Sequence, residues 1–181
     1  MIHSDSDPIP GQLPRLAEGE VVYRQVSPGG NPVFFQADRD PPLNYTLFLP
    51  SRADLDGLSL IRQAHRAPVW AAFRPEQPDV RFRLAVVSVS LLQAIDTEAG
   101  FSATGYKATP DALDEQQGEP WAHAVAEHIN RPAYDRDKAR LKSWAKLVAA
   151  LVSAGSIIGP FPAPAVNDRY RPSQADNGAN L

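Results

Sequence analysis

Residues 120–132, PWAHAVAEHINRP, contain the side chains that most readily suggest chemistry: His123, Glu127 and His128. On a helix or on a strand, His123 and Glu127 share a face, whereas His128 points elsewhere on a strand. Histidine titrates near neutral pH, and a carboxylate beside it can fix its tautomer. The pair therefore predicts acid/base chemistry, whether the segment is helix or strand.

The same segment does not match a zinc-protease motif. That motif needs two histidines four residues apart on a helix with a glutamate after the first, but here the spacing is five and the glutamate precedes the second. The chain has no cysteine, which excludes disulfides, thiolate metal sites and a cysteine nucleophile. We expect no bound metal. An ordinary half-buried element, with Trp121, Val125 and Ile129 packed inward, stays open as the alternative.

Arg24 is a second candidate, because it lies in the middle of the otherwise apolar stretch VVYRQV. An arginine in such a stretch must be paired or face solvent, since burying an unpaired charge is costly. If it faces a cleft, its guanidinium group can bind phosphate or carboxylate through two parallel hydrogen bonds. A solvent-facing position is the competing interpretation.

Residues 61–83 interleave basic and aromatic side chains, a pattern that can stack on and neutralise a nucleotide or nucleic acid. The candidate binding residues are Arg62, Arg66, Trp70, Arg74, Arg81 and Arg83. A solvated loop is the alternative, and we favour it because Glu76 and Asp79 dilute the charge. The whole chain carries a formal net charge of −3, so nucleic acid is not an expected partner.

The elements that must position these residues predict an α+β fold. Extended segments are predicted at residues 21–26, 45–50, 58–62 and 79–89. A short helix capped by Ser90, another at residues 109–118, and a long amphipathic helix from an N-cap at Asp135 to about residue 153 are predicted in addition. With no internal repeat, this order predicts a single domain with a mainly antiparallel sheet, split or continuous.

The two ends of the chain differ in composition from its middle. Residues 1–19 and 154–181 are rich in proline and small polar residues, so neither can form a core by itself. We expect an α+β core at residues 20–153, an extended or disordered N-terminal arm and a Pro-rich C-terminal tail. Ile157 and Phe161 are apolar enough to anchor that tail as a strap on its own domain or on a partner.

Neither a signal peptide nor a membrane span is indicated. The N-terminal residues lack a basic segment followed by an apolar run, and no apolar run approaches the ~20 residues that cross a bilayer. We expect a cytoplasmic protein without a membrane partner.

Two resemblances add to this interpretation. The order of VYRQV, DGLSLIR, RLAVVSVSLL and WAHAVAEHI, across residues 21–152, is similar to small uncharacterised bacterial proteins and carries no activity with it. Arg24, Tyr45 and Glu127 resemble, in their order, residues that small ADP-ribosyltransferase-like domains place around a split sheet that holds NAD. That resemblance implies an NAD- or nucleotide-using effector enzyme. Its candidate catalytic residues here are Arg24, Tyr45, His123 and Glu127.

No motif identifies an activity, because the chain has neither a Gly-rich phosphate loop nor a G-x-S-x-G sequence. We therefore expect a protein-binding or accessory module of a bacterial multi-component system, such as an effector or toxin–antitoxin pair, with a protein partner and no cofactor. The alternative is the ADP-ribosyltransferase-like enzyme, which would use NAD. The sequence does not decide between the two.

Overall fold

A six-stranded antiparallel sheet runs through the protein. The computed structural model describes residues 14–29, 33–101, 105–110, 119, 121–152 and 156–165. The strands are β1 (Val21–Val26), β2 (Leu58–Arg62), β3 (Arg83–Ser88), β4 (Tyr106–Ala108), β5 (His123–Ala126) and β6 (Ile157–Ile158). Their order is β4-β5-β2-β1-β3-β6, and every neighbouring pair is antiparallel. The predicted single α+β domain with a mainly antiparallel sheet is confirmed.

The helices of the described residues cover the two faces of the sheet unequally. The α-helices are α1 (Pro68–Ala71), α2 (Val89–Glu98), α3 (Arg131–Arg136) and α4 (Lys138–Val152), and Tyr45–Phe48 and Gln63–His65 form 3-10 helices. Helices α2 and α4 contribute to the large core on one face. A smaller cluster, which includes Ala71 of α1 and Phe161, packs on the other.

The alternation of side chains along β1 decides where its arginine lies. Val22 and Val26 belong to the large core, whereas Tyr23 belongs to the smaller cluster. Because successive side chains of a strand point to opposite faces, Arg24 lies on the face that α2 and α4 cover. The predicted apolar strand therefore places one charged side chain on its most buried face.

The strand predicted at residues 45–50 is wrong, because Tyr45–Phe48 form a 3-10 helix. Asn44 caps this helix, and its Oδ1 accepts a hydrogen bond from the Thr46 backbone N–H at 3.0 Å. Leu47 and Phe48 are buried in this turn. Apolar and β-branched residues fit a buried turn as well as a strand, and the cap decides between the two here.

The predicted start of α2 is also wrong, by two residues. Ser88, not Ser90, is the N-cap, and its Oγ accepts a hydrogen bond from the Leu91 backbone N–H at 3.2 Å. The same serine ends β3, so the chain passes from strand to helix without a loop. Gly100 follows the helix with a φ of 77°, as expected for a glycine beyond a helix C-terminus.

The long helix predicted from Asp135 is divided into two. Helix α3 begins earlier, with Asn130 as N-cap; its Oδ1 accepts from the Ala133 backbone N–H at 2.8 Å. Asp137 then interrupts the helix with a φ of −132° and a ψ of 48°, and α4 continues the chain. Leu141, Trp144, Val148 and Val152 of α4 are buried as the spacing of the apolar stripe predicts, but Leu151, which is expected on the same stripe, is 51% exposed.

Both terminal segments, as far as they are described, pack on the edges of the sheet. The Leu16 backbone N–H donates to the Tyr106 carbonyl at 3.0 Å, beside β4. At the other edge, β6 pairs with β3, and Phe161 packs against the smaller cluster. Residues 1–13 and 166–181, and 111–118 of the predicted helix at 109–118, lie outside the described residues.

Candidate functional site

A cavity of about 450 Å³ lies beside the C-terminal half of β1. It forms where β1 and β2 separate: β1 pairs with β3 along its whole length, but with β2 only at Val22 and Tyr23. Three arginines line the cavity, Arg24, Arg74 and Arg131. Among its described lining residues there is no aspartate, glutamate or histidine.

Arg24 is held in the gap between the strands by two backbone carbonyls. Its Nε donates to the Leu47 carbonyl at 3.1 Å, and its Nη1 donates to the Ser59 carbonyl at 2.8 Å. Its Nη2 donates to no residue of the described ranges. The guanidinium group is thus fixed on one side and has donors left on the other.

The electrostatic environment of Arg24 is that of a partly desolvated cation. Burial lowers the pKa of Arg24 to about 10; the negative charge of Asp54 opposes this shift, and the positive charge of Arg74 adds to it. Arg24 therefore stays protonated at neutral pH. The mutual repulsion of Arg24 and Arg74 is a cost that a bound anion would offset.

Arg74 is positioned by the residue that follows Arg24 on β1. The side-chain amide of Gln25 accepts a hydrogen bond from Arg74 Nε at 2.6 Å and donates one to the Ala71 carbonyl at 2.6 Å. The Arg74 Cζ also lies 5.1 Å from the centroid of the Phe82 ring, a cation–π contact. Gln25 and Phe82 together fix the guanidinium group and leave its terminal nitrogens without a hydrogen bond to the described residues.

Arg131 approaches the cavity from the N-terminal end of α3. Its Nε and Nη2 contact the Asp135 carboxylate at 3.2 and 2.9 Å, and its Cζ lies 5.1 Å from the centroid of the Tyr134 ring. Its backbone N–H donates to the Asp54 carbonyl at 2.7 Å. Arg131 is not predicted from the sequence, because nothing local distinguishes it from other arginines at the start of a helix.

The cavity has the composition of a binding site for an organic anion. Its lining combines the arginines with apolar side chains of Phe34, Leu47 and Leu49 and with polar groups that include Thr46 and Ser51. Guanidinium groups bind carboxylate and phosphate through paired, charge-assisted hydrogen bonds. Among the described lining residues there is no histidine or carboxylate to act as an acid or base near neutral pH.

The predicted catalytic residues are not brought together. Arg24 lines the cavity, whereas Tyr45 and Glu127 do not. Tyr45 begins a 3-10 helix, where Lys146 Nζ lies 5.7 Å from the centroid of its ring. Glu127 follows β5 and pairs with Lys107 at 2.9 Å. These residues have separate local partners instead of a common site.

His123 lies on the face of the sheet opposite to Arg24. The segment 120–132 supplies β5, in which Ala124 and Ala126 point into the large core, so His123 points the other way. Its Nε2 lies 2.6 Å from Ser59 Oγ on the neighbouring strand. A hydroxyl–imidazole pair of this geometry occurs in nucleophilic catalysis and equally as a cross-strand polar contact. Neither the Ser59 nor the His123 side chain lines the cavity beside β1.

Only Arg74 of the six predicted binding residues lines the cavity. Arg62 pairs with Glu20, and Arg81 donates to the Pro78 carbonyl at 2.7 Å. The Arg83 guanidinium lies over the Phe35 ring, with Cζ 4.9 Å from its centroid. Arg66 and Trp70 are half-buried. The arginines of residues 61–83 therefore have separate local contacts and do not form one binding surface.

A second polar cluster, which is not predicted from the sequence, lies in the core. Asp96 is 0% exposed, and its Oδ1 accepts hydrogen bonds from Tyr106 Oη at 3.2 Å, His128 Nε2 at 2.8 Å and Trp144 Nε1 at 2.7 Å. Burial, reinforced by the charge of Asp96, raises the pKa of Tyr106. The signal in the sequence is the position of Asp96 on the apolar stripe of α2, seven residues after Val89.

Within the ranges that the structure covers, no three histidine or carboxylate side chains group together as they would around a metal ion. None of the helices seen there combines the length and apolar character needed to cross a membrane. Comparisons of the chain with protein-family models, with curated proteins and with solved structures find no match.

Proposed function

We propose that this protein binds a small organic anion in the cavity beside β1. One observation supports the proposal: three arginines from distant parts of the chain converge on a cavity whose described lining has no carboxylate. Each arginine is anchored through Nε and keeps donors for a ligand. The function is therefore that of a ligand-binding module.

The size and preorganisation of the cavity support the same function. Small-molecule sites commonly measure about 300–1,000 Å³ and combine apolar walls with a few placed polar groups. The cavity beside β1, at about 450 Å³, is of this kind. Because Gln25 and the backbone carbonyls already order Arg74 and Arg24, a ligand would not have to order these long side chains itself.

A structural role explains only part of the arrangement. Arg24 joins the Leu47 and Ser59 carbonyls across the gap beside β1, and this alone gives it a place in the fold. It does not explain why Arg74 approaches the same cavity, where like charges repel. A structural role for Arg24 and a ligand-binding role for all three arginines are compatible.

Calorimetric titration of the full chain with acetate, inorganic phosphate, succinate and phenyl phosphate tests the proposal. We expect at least one of these anions to bind and to raise the midpoint of thermal unfolding. Arg74→Gln is expected to weaken that binding. The matched control is Arg81→Gln, because Arg81 is exposed and lies outside the cavity. Binding that Arg74→Gln leaves unchanged, or no binding at all, contradicts the proposal.

NAD belongs in the same titration. An ADP-ribosyltransferase-like enzyme would bring the pyrophosphate of NAD to Arg24, and the partial separation of β1 from β2 favours a ligand at that point. Tyr45 and Glu127, which the resemblance would need there, do not line the cavity. We therefore include NAD in the titration as one candidate anion and do not propose it as a cosubstrate.

The protein partner, the role in a multi-component system and the cytoplasmic location expected from the sequence stay predictions. Removal of residues 154–181 followed by identification of co-purifying proteins tests the partner. Unchanged partners would exclude a docking role for the tail.

A further inference from the structure

The cavity beside β1 is larger than a single anionic group requires. A carboxylate or a phosphate has a handful of heavy atoms, each of which takes a volume on the order of one water molecule, about 30 Å³. One such group would leave most of the 450 Å³ unfilled. A ligand that fills the cavity therefore extends beyond its first anionic group.

The positive charges of the cavity belong to two separately anchored units. Arg24 and Arg74 form the first unit, because both line the cavity beside β1 and both are held there by that strand, Arg24 as one of its residues and Arg74 through Gln25. The charge of Arg74 also lowers the pKa of Arg24. Arg131 forms the second unit, on α3, where Asp135 holds its guanidinium group.

We infer that the ligand is an organic dianion whose two anionic groups are separated by an apolar linker. One group binds the Arg24–Arg74 unit and the other binds Arg131, while Phe34, Leu47 and Leu49 supply apolar contacts. Dicarboxylates and phosphate esters that carry a second anionic group share this chemistry. The inference rests on the proposed function and adds the charge and length of the ligand.

The two units should contribute unequally. Arg24 is partly desolvated, and charges interact more strongly where water is excluded. Arg131 already shares its charge with Asp135, whose side chain is 59% exposed, so this ion pair is weak and leaves Nη1 available. The first unit therefore provides most of the affinity, and Arg131 provides selectivity for the second anionic group.

A chain-length series measured at constant ionic strength tests the inference. The probes are the dicarboxylates from malonate to pimelate, the monocarboxylates of equal length, and phosphonoacetate with its longer phosphonocarboxylate homologues. We expect affinity to peak at one length and to exceed that of the matched monocarboxylate by at least about tenfold, or about 1.4 kcal/mol, because the second anionic group adds charge-assisted hydrogen bonds. The phosphonocarboxylates show whether phosphate is preferred at either end.

Two variants locate the second anionic group. Arg131→Gln is expected to reduce the affinity for the best dianion to about that for its matched monoanion, so that the ratio of the two affinities falls toward one. Asp135→Asn frees Arg131 and is expected to strengthen binding of the dianion, so it keeps the test informative if Arg131→Gln does not fold. Thermal unfolding of each variant checks the fold.

The outcomes separate this inference from the proposed function. If monoanions and dianions of equal length bind equally well and Arg74→Gln weakens both, the cavity holds one anionic group and the inference is overturned. The proposed function then still stands. If no anion of either series binds, both are overturned.

Discussion

Asp96 and the arginines beside β1 are charged groups within the same fold, but their partners are arranged differently. Donors from β4, α4 and the turn after β5 converge on one oxygen of Asp96, which lies deep in the core. Arg24, Arg74 and Arg131 instead have acceptors on one side only and share a cavity on the other. Three donors on Asp96 Oδ1 hold separate elements together, whereas like charges around a cavity favour a counter-ion.

The largest expected effect follows from removing the buried carboxylate. Asp96→Ala leaves the donors of Tyr106, His128 and Trp144 without their acceptor, so we expect a loss of about 3–5 kcal/mol in the free energy of unfolding. Urea denaturation measures it. Glu98→Ala, an exposed position on the same helix, is the control and should change stability by less than about 0.5 kcal/mol. A similar small loss for Asp96→Ala would mean that the cluster does not hold the core together.

The next effect separates structure from binding at the cavity. Arg24→Met leaves the Leu47 and Ser59 carbonyls without their donor, so we expect a loss of about 1–3 kcal/mol in stability together with loss of anion binding. Arg74→Gln removes the hydrogen bond to Gln25 and the contact with Phe82, so we expect weakened anion binding with a smaller stability loss, of about 0.5–1.5 kcal/mol. Denaturation and calorimetric titration of both variants make the comparison. Equal stability losses would show that both arginines are mainly structural.

A pH dependence of intermediate size is expected for anion binding. The pKa of Arg24 is lowered to about 10 in the folded protein, so this group has lost half of its charge near pH 10 instead of near its ordinary value. The charged form binds anions, and dicarboxylates stay ionised across this range; affinity should therefore be constant from pH 7 to pH 8 and fall through pH 10. Titrations at a series of pH values measure this fall. It should be reduced in Arg74→Gln, which removes the repelling charge and raises the pKa of Arg24.

The lowered pKa of Arg24 also predicts how the stability of the fold changes with pH. Because folding lowers the pKa of Arg24, the fold disfavours its charged form, and the resulting cost applies in full below about pH 10. This cost diminishes as the pH rises through 10. Comparison of the protein with Arg24→Met by denaturation across this range isolates the contribution, which should have the opposite sign to the change in anion affinity.

The smallest effect concerns the cap that positions Arg131. Asn130→Ala removes the hydrogen bond at the start of α3, and we expect a loss of about 1 kcal/mol in stability and a modest weakening of dianion binding. Ser88→Ala removes the equivalent bond of α2 at a residue that does not line the cavity, and should cost similar stability without changing binding. Equal binding by both variants would show that the position of α3 does not matter to the ligand.

Local sequence patterns predicted much of the fold. The alternation in VVYRQV and the apolar stripe of α4 gave β1 and the buried face of α4 correctly, because such patterns depend on residues only a few positions apart. The predictions were wrong where the same residues suit two different local structures. Residues 45–50 fit a strand or a buried turn, and Ser88 and Ser90 both suit a cap.

The sequence by itself determined the α+β class and identified Arg24 as a charge in an apolar strand that needs an explanation. Only the tertiary structure decided that β1 separates from β2 beside Arg24, and that Arg74 and Arg131 reach the same cavity. It also placed His123 on the opposite face, next to Ser59. The physical reason is that local patterns fix which face a side chain occupies, whereas convergence of distant residues depends on strand order, register and helix packing.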